Sequence, residues 1–173
     1  IITMPANGIG SAISTIVGQN IGAGQQERAD KAYHYALRMG ALFLLFFGLI
    51  LSRRFISQAM VTFFSTDERV IPLATDFLSL MAFWCWSNAF YNVTQGLFQG
   101  SGHTMITMIV DASRIWIFRL LTLWVCANVF NMGVASVWYA VVISNGTSAA
   151  ILYALYWTGI WKKSTIKIEK TEG

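Results

Sequence analysis

The chain has 173 residues, of which 55% are hydrophobic and only 12% are charged, with a formal net charge of +4. Soluble domains carry about 25% charged residues, so this composition excludes a single soluble core. The basic residues form no face with interleaved aromatic side chains, which excludes a nucleic-acid partner. Residues 77–110 and 120–161 contain no Asp, Glu, Lys or Arg, and each stretch exceeds the roughly 20 residues that cross a bilayer. The sequence therefore predicts an α-helical membrane protein with the lipid bilayer as a partner.

The first predicted helix covers residues 2–21 and ends in a Gly-Ala-Gly exit to a charged loop. A small residue occupies every fourth position: Gly10, Ser14, Gly18 and Gly22. This spacing places the four residues on one helix face, and small side chains let two membrane helices pack closely. Asn7 and Ser11 form a polar stripe beside them. Lining of a cavity and hydrogen bonding between helices are both open for this stripe.

Four further helices complete the predicted bundle. They cover residues 29–52, 70–99, 103–127 and 134–161, with an amphipathic segment at 55–64 that is a surface helix or a continuation of the second span. The predicted fold class is all-α, a polytopic membrane helix bundle with about five transmembrane helices over residues 1–162. Residues 163–173 form a polar tail. The side that holds the tail and the loop after the first helix carries seven Lys and Arg residues against three, which predicts a cytoplasmic C-terminus.

The third predicted helix carries amides along one face. Asn88, Asn92, Gln95 and Gln99 are spaced four, three and four residues apart, and Trp84 and Tyr91 lie near that face. An amide in hydrocarbon without a partner costs several kcal/mol. One interpretation is a wetted substrate cavity, in which the aromatic rings bind cationic or planar molecules. The other is hydrogen bonding between helices, and for the outward-facing positions Leu80 and Phe98 we expect neither role.

Two motifs in this order resemble a known family. They are GQNIGAGQQERA at residues 18–29 and GLFQGSGHT at 96–104, the latter followed by DASRIWIFR at 111–119. The chain resembles the multidrug and toxic compound extrusion family, whose transporters have two six-helix lobes. The resemblance implies most of the second lobe, from its second helix onward, with the N-terminal lobe as a missing partner. A start at Ile1 within apolar sequence fits such a fragment.

The resemblance also implies a function and a coupling ion. The expected activity is secondary active transport, in which H⁺ or Na⁺ antiport drives export of drugs or other small organic or cationic substrates across the plasma membrane. In the sodium-coupled branch, a carboxylate occupies the position that matches Asn88. Because an amide supplies no charge, we expect the coupling ion to be bound mainly by the missing lobe. No other cofactor is expected.

Three charged residues lie inside the fourth predicted helix: Asp111, Arg114 and Arg119. Charges at bilayer depth are costly and indicate function by default. However, Asp111 and Arg114 are three residues apart and can pair on one helix. The hypotheses are a structural pair near the cytoplasmic interface and a role in rocking of the lobes. The family's usual Pro after this motif is absent at Leu120, which predicts a straighter helix.

Other functions fit the sequence less well than transport of drugs. A flippase for lipid-linked oligosaccharide needs a strongly cationic cavity, and only Arg114 and Arg119 lie inside the spans. An enzyme needs convergent titratable groups at membrane depth, where only Asp111 qualifies. His34 and His103 are isolated in sequence, so no metal site is predicted. A non-transporting assembly subunit does not explain the amides of the third helix.

Overall fold

A computed structural model describes residues 4–64 and 66–162, and within these ranges the chain is helical without β-strands. The helices are α1 Met4–Gly22, α2 Gln26–Leu51, α3 Arg54–Phe64, α4 Val70–Trp84, α5 Ser87–Gly100, α6 Thr104–Ser113, α7 Leu120–Asn128 and α8 Ala135–Trp157. A π-helical segment, Arg114–Arg119, joins α6 to α7, and a 3₁₀ turn follows α8 at Ile160–Lys162. The predicted all-α membrane helix bundle is confirmed. The predicted tail at 163–173 lies outside the described residues.

Membrane crossing differs between the elements. By length and composition, α2 and α8 can each span a bilayer alone, whereas α4 and α5 qualify only as a pair bent by 51°. The alternative in which residues 55–64 continue the second span is wrong, because α2 ends at Leu51 and α3 is a separate helix. In α3, Phe55, Phe63 and Phe64 are exposed.

The prediction of one unbroken helix over residues 70–99 is wrong. The helix breaks at Cys85 and Trp86, where the backbone forms tight turns: the Cys85 N–H donates to the Ala82 carbonyl at 3.3 Å and the Ala89 N–H donates to the Trp86 carbonyl at 3.1 Å. The Cys85 thiol leaves the line of the helix and donates to the Leu44 carbonyl on α2 at 3.1 Å. This contact ties the break to the neighbouring helix.

The fourth predicted helix is also interrupted. The π-helical segment ends directly before Leu120, the position at which the missing Pro predicted a straighter helix. A π-helix bonds each N–H to the carbonyl five residues back and is frequently found at functional sites. The prediction of a regular α-helix over residues 103–127 is therefore wrong for this segment.

Helix α5 lies at the centre of the bundle, in contact with α1, α2, α6 and α8. Eight of its fourteen residues are buried, which is why its polar side chains meet protein on several sides. Its apolar contribution to the core includes Leu97 and Phe98. Phe98 is fully buried, so its predicted outward orientation is wrong.

The contact between α1 and α5 is the closest in the bundle, because glycines on both helices face each other. A Cβ atom at Gly96 would clash with the Gly10 carbonyl oxygen, and one at Gly100 would clash with the Ser14 carbonyl oxygen. A Cβ at Gly18 would come within 3.3 Å of the Gly100 carbonyl oxygen. Gly22 lies apart, since a Cβ there would meet nothing within 4 Å. Three of the four small residues of α1 thus lie against α5.

This contact predicts a position-specific cost of adding one methyl group to α1. A Cβ at Gly10 would lie 2.6 Å from the Asn92 carbonyl oxygen, whereas a Cβ at Gly8 has open space. We expect Gly10→Ala to destabilise the bundle by about 1–3 kcal/mol through overpacking. The thermal unfolding of the detergent-solubilised chain measures the effect. Gly8→Ala, on the same helix, is the control and should leave the melting temperature unchanged or raised; equal melting temperatures for both variants would contradict this packing.

Candidate functional site

A cluster of polar side chains surrounds Asp111 between α5 and α6. The Tyr91 hydroxyl donates to one Asp111 carboxylate oxygen, and the Gln95 amide donates to the other at 2.7 Å. Arg114 pairs with Asp111 at 3.2 Å, with side-chain exposures of 22% for Arg114 and 34% for Asp111. The carboxylate therefore has partners on α5 and on the π-helical segment. These partners fix its position more firmly than a single ion pair within one helix would.

The cluster extends to α8 through the two arginines. Arg114 Nη1 donates to Asn145 Oδ1 at 3.4 Å, and Arg119 Nη2 donates to the same oxygen at 3.2 Å. Arg119 Nε also donates to Ser144 Oγ at 3.3 Å. The Arg114 guanidinium lies 4.6 Å from the centre of the Tyr91 ring, within the range of a cation–π interaction.

The π-helical segment explains how both arginines reach α8. In an α-helix of 3.6 residues per turn, residues five apart point about 140° away from each other. Bonding between residues five apart widens the turn and brings such residues close to one face. Arg114 and Arg119 are five apart and open and close this segment. Their shared contact with Asn145 follows from this local geometry.

The prediction from the sequence did not include Ser144 and Asn145 among the site residues. Both lie in the middle of α8, within an uncharged stretch of 42 residues. Asn145 carries the same signal that marked the third predicted helix, an amide at a position that hydrocarbon disfavours. A single amide without a partner at helical spacing does not reveal which helix it faces.

The amides predicted on one face divide between two surroundings. Gln95 bonds to Asp111, whereas the Asn92 amide donates to the Asn88 backbone carbonyl at 2.8 Å. The Asn92 side chain begins next to Gly10 of α1, and Asn88 and Asn92 are half-buried. Asn7 and Ser11 flank Gly10 in sequence and are exposed on α1. Together, Asn7, Ser11, Asn88 and Asn92 form what we call the amide patch, at the seam between α1 and α5.

The two aromatic residues predicted near the amides also separate. Tyr91 joins the Asp111 cluster, whereas Trp84 lines an apolar groove of about 300 Å³ on the side facing α8. Its neighbours there include Trp86, Phe90 and Tyr153. Trp84 and Trp86 stack with ring centres 6.2 Å apart, and Phe90 meets the edge of Tyr153 at 6.0 Å. Trp84 and the amide patch therefore belong to different surfaces.

A third polar group connects the start of α2 to the end of α8. The Tyr156 hydroxyl donates to Asp30 at 2.6 Å and lies 3.0 Å from His34 Nε2. The neighbouring Tyr33 stacks on Tyr156 with ring centres 4.6 Å apart, and its hydroxyl hydrogen-bonds the Thr94 hydroxyl of α5 at 3.0 Å. His34, isolated in sequence, is thus part of a network that joins the termini of two helices.

Residues with metal-ligand chemistry remain dispersed in the part of the chain that the structure describes. No three His, Cys, Asp or Glu side chains come together there. His103 hydrogen-bonds its neighbour Ser101 at 3.1 Å, and Cys85 and Cys126 are buried free thiols. The site is therefore built from guanidinium, carboxylate, amide and hydroxyl groups.

These features define a class of protein: a helical membrane bundle with a charged cluster held inside apolar helices. The MatE family model matches residues 1–125, which is more than half of the chain. The chain belongs to the MatE family, and the family predicted from the two motifs is confirmed.

Similar proteins are found in bacteria and plants. The probable multidrug resistance protein NorM of Thermotoga maritima is 23% identical over 163 residues, covering 94% of this chain and 35% of the relative. Protein DETOXIFICATION 9 of Arabidopsis thaliana is 25% identical over 169 residues, covering 96% of this chain and 34% of the relative. The chain thus spans about a third of the length of these relatives.

Solved structures show the same fold. The crystal structure of the eukaryotic MATE transporter AtDTX14 superposes with a TM-score of 0.84 at 21% identity, covering 94% of this chain and 36% of that chain. An inward-facing multidrug resistance MATE family transporter of the MOP superfamily superposes with a TM-score of 0.80 at 20% identity, covering 95% of this chain and 39% of that chain. Sequence identities this low support the fold alone.

The Asp111 cluster predicts unequal effects of neutralising two acids that each pair with an arginine. We expect Asp111→Asn to destabilise the bundle by about 1.5–3 kcal/mol, because hydrogen bonds to a charged group are lost. Asp76 pairs with Arg54 at 3.4 Å but has a 51% exposed side chain, so Asp76→Asn should cost at most about 1 kcal/mol. Thermal unfolding in detergent compares the two variants, and a cost for Asp76→Asn that matches or exceeds that of Asp111→Asn would refute the ranking.

Proposed function

We propose that this chain is part of a secondary active transporter that exports drugs or other organic cations in exchange for H⁺ or Na⁺. The observation that carries the proposal is the amide patch, a polar surface on a bundle whose other outer faces are largely apolar. Lipid disfavours such a surface, because hydrocarbon offers no partners to amide and hydroxyl groups. A water-filled cleft satisfies them. Membership of the MatE family and the names of the relatives support the same reading.

In this proposal, the amide patch is one wall of the substrate cleft. The opposite wall belongs to the N-terminal lobe, which we infer lies elsewhere in the complete transporter. Substrate then moves as one lobe rocks against the other around a site near the membrane midplane, as in other transporters built from repeats. The patch is neutral, so it suits substrates that bind through hydrogen bonds to amide and hydroxyl groups.

The coupling ion is assigned mainly to the other lobe. Asn88 has an amide oxygen that can ligate Na⁺ but supplies no charge and carries no proton. A carboxylate that takes up H⁺ or Na⁺ from the gradient is therefore proposed outside the amide patch. The excess of Lys and Arg on the side of the C-terminus supports a cytoplasmic C-terminus. We propose a plasma-membrane location because export of drugs from a cell crosses that membrane. A flippase and a non-transporting subunit are not favoured by the relatives, several of which are named probable multidrug resistance proteins.

A transport assay tests the proposal directly. The complete transporter that contains this chain is purified and reconstituted into vesicles, and ethidium movement is followed under an imposed H⁺ gradient or Na⁺ gradient. We expect uphill ethidium transport under at least one gradient, and transport that ignores both gradients would refute the proposal. The 173-residue chain in identical vesicles is the control. It should give no uphill transport, because it supplies one wall of the cleft.

Substitutions in the amide patch test its contact with substrate. Asn88→Ala and Asn92→Ala should each reduce drug resistance or ethidium transport by about twofold to tenfold, the effect of one hydrogen bond of about 0.5–1.5 kcal/mol. The matched control is Asn128→Ala, which removes an exposed amide at the end of α7. Equal transport by all three variants, at equal protein levels in the membrane, would favour a packing role for the patch.

A further inference from the structure

The charged cluster between α6 and α8 carries an excess positive charge. It contains the two guanidiniums of Arg114 and Arg119 and the single carboxylate of Asp111. Arginine is always charged in proteins, so the cluster has a net charge of +1 when Asp111 is ionised. Arg114 pairs with Asp111, whereas the groups that bond to Arg119 among the described residues are the neutral Ser144 and Asn145. A net charge within apolar helices costs several kcal/mol unless it is matched.

The hydrogen bonds of the cluster show the same imbalance. Each guanidinium has five N–H donors, yet both arginines converge on one neutral oxygen, Asn145 Oδ1, at 3.4 and 3.2 Å. Arg119 Nε has one further acceptor, Ser144 Oγ, at 3.3 Å. Charge-assisted bonds between nitrogen and a carboxylate oxygen are shorter, about 2.7–2.9 Å. Arg114 Nε is buried without an acceptor, so the donors outnumber the acceptors around these arginines.

The geometry also favours a planar anion. A guanidinium binds a carboxylate through two parallel hydrogen bonds, and the π-helical segment turns two guanidiniums toward one point on α8. Asp111 already pairs with Arg114 Nη2, whereas Arg119 is bound only by neutral groups. Arg119 is half-buried, and the residues before it, Trp116 and Ile117, are 72% and 55% exposed. Part of the Arg119 side chain therefore remains accessible.

We propose that Arg119 and Arg114, oriented by Asn145 and Ser144, form a binding site for one carboxylate. One carboxylate matches the excess of one positive charge, whereas a diphosphate would bring at least two negative charges. The carboxylate comes from one of two sources: a substrate that carries both a cation and a carboxylate, or an Asp or Glu side chain of the remaining transporter. The inference rests on the proposed function, because one source is a transported substrate and the other is a side chain of the complete transporter.

Binding of two matched probes separates the two sources. Norfloxacin carries a carboxylate, and its ethyl ester lacks that charge. We expect Arg119→Gln in the complete, purified transporter to weaken norfloxacin binding about tenfold or more, and Arg119→Lys to weaken it less, since it keeps the charge. If the substrate supplies the carboxylate, Arg119→Gln leaves the dissociation constant of the ester at its wild-type value. Tryptophan fluorescence titration measures both dissociation constants, and Arg53→Gln, at an exposed position, is the control.

A side-chain source gives a different result. Arg119→Gln then lowers the melting temperature of the substrate-free transporter and affects both probes alike. Neutralisation of one particular Asp or Glu elsewhere in the transporter restores that melting temperature, because the unmatched charge is removed. Selective loss of norfloxacin binding and rescue by one acid each support the site. Any other result overturns it, including equal effects of Arg119→Gln and Arg53→Gln or a loss that no acid rescues.

Ethidium, which has no carboxylate, keeps this test apart from the test of transport. Wild-type vesicles that fail to move ethidium uphill contradict the proposed function. The carboxylate site is judged by probe binding and melting temperature, which need no gradient. The two proposals therefore fail by different measurements.

Discussion

The close contact between α1 and α5 is the constraint on which the rest of the bundle depends. Backbones that meet at Gly10 and Gly96 leave no room for a Cβ atom on either side. Without a hydrophobic driving force between helices in lipid, such close packing is a main source of association. It holds α5 in the middle of the bundle, and a central helix can present side chains to several neighbours at once. The Asp111 cluster and the amide patch both depend on that placement.

The sequence was sufficient to predict the class of fold, the approximate extent of α1, α2 and α8, and one side of this contact. Charge-free stretches indicate membrane helices by length alone, and a four-residue repeat of small residues indicates a packing face. The partner glycines on α5, Gly96 and Gly100, also stand four residues apart. A repeat of only two glycines does not identify a packing face or the helix that it meets.

The breaks in the helices were beyond the sequence patterns for a different reason. Proline is the local sequence signal that a helix breaks. There is no Pro beside Cys85 or within the segment Arg114–Arg119. The break at Cys85 coincides with a tertiary contact to the Leu44 carbonyl, and the π-helical turn coincides with two arginines that reach Asn145. Apolar periodicity and helix propensity describe one helix at a time. They therefore do not reveal contacts with other helices that favour a local departure from α-helical geometry.

The candidate site was predicted in its parts but not in its arrangement. Asp111 and Arg114 pair as their spacing predicted, and Tyr91 and Gln95 stand out as polar groups on an apolar helix. A helical wheel groups residues on neighbouring positions into one surface. Because α5 is buried on most sides, however, residues of that surface contact different helices. Gln95 therefore meets Asp111, while Asn92, three residues earlier, begins beside α1. Which neighbour each residue meets is set by the packing around α5.

This division gives the two sides of α5 different electrostatic character. Toward α1 lie neutral amides, which can exchange protein partners for water at little cost. Toward α6 and α8 lie a carboxylate and two guanidiniums, whose charges are not removed from water without compensation. Tyr91 and Gln95 of α5 bond directly to the carboxylate of that cluster. Those residues share a helix with Asn88 and Asn92, so α5 is the element that joins the charged cluster to the amide patch.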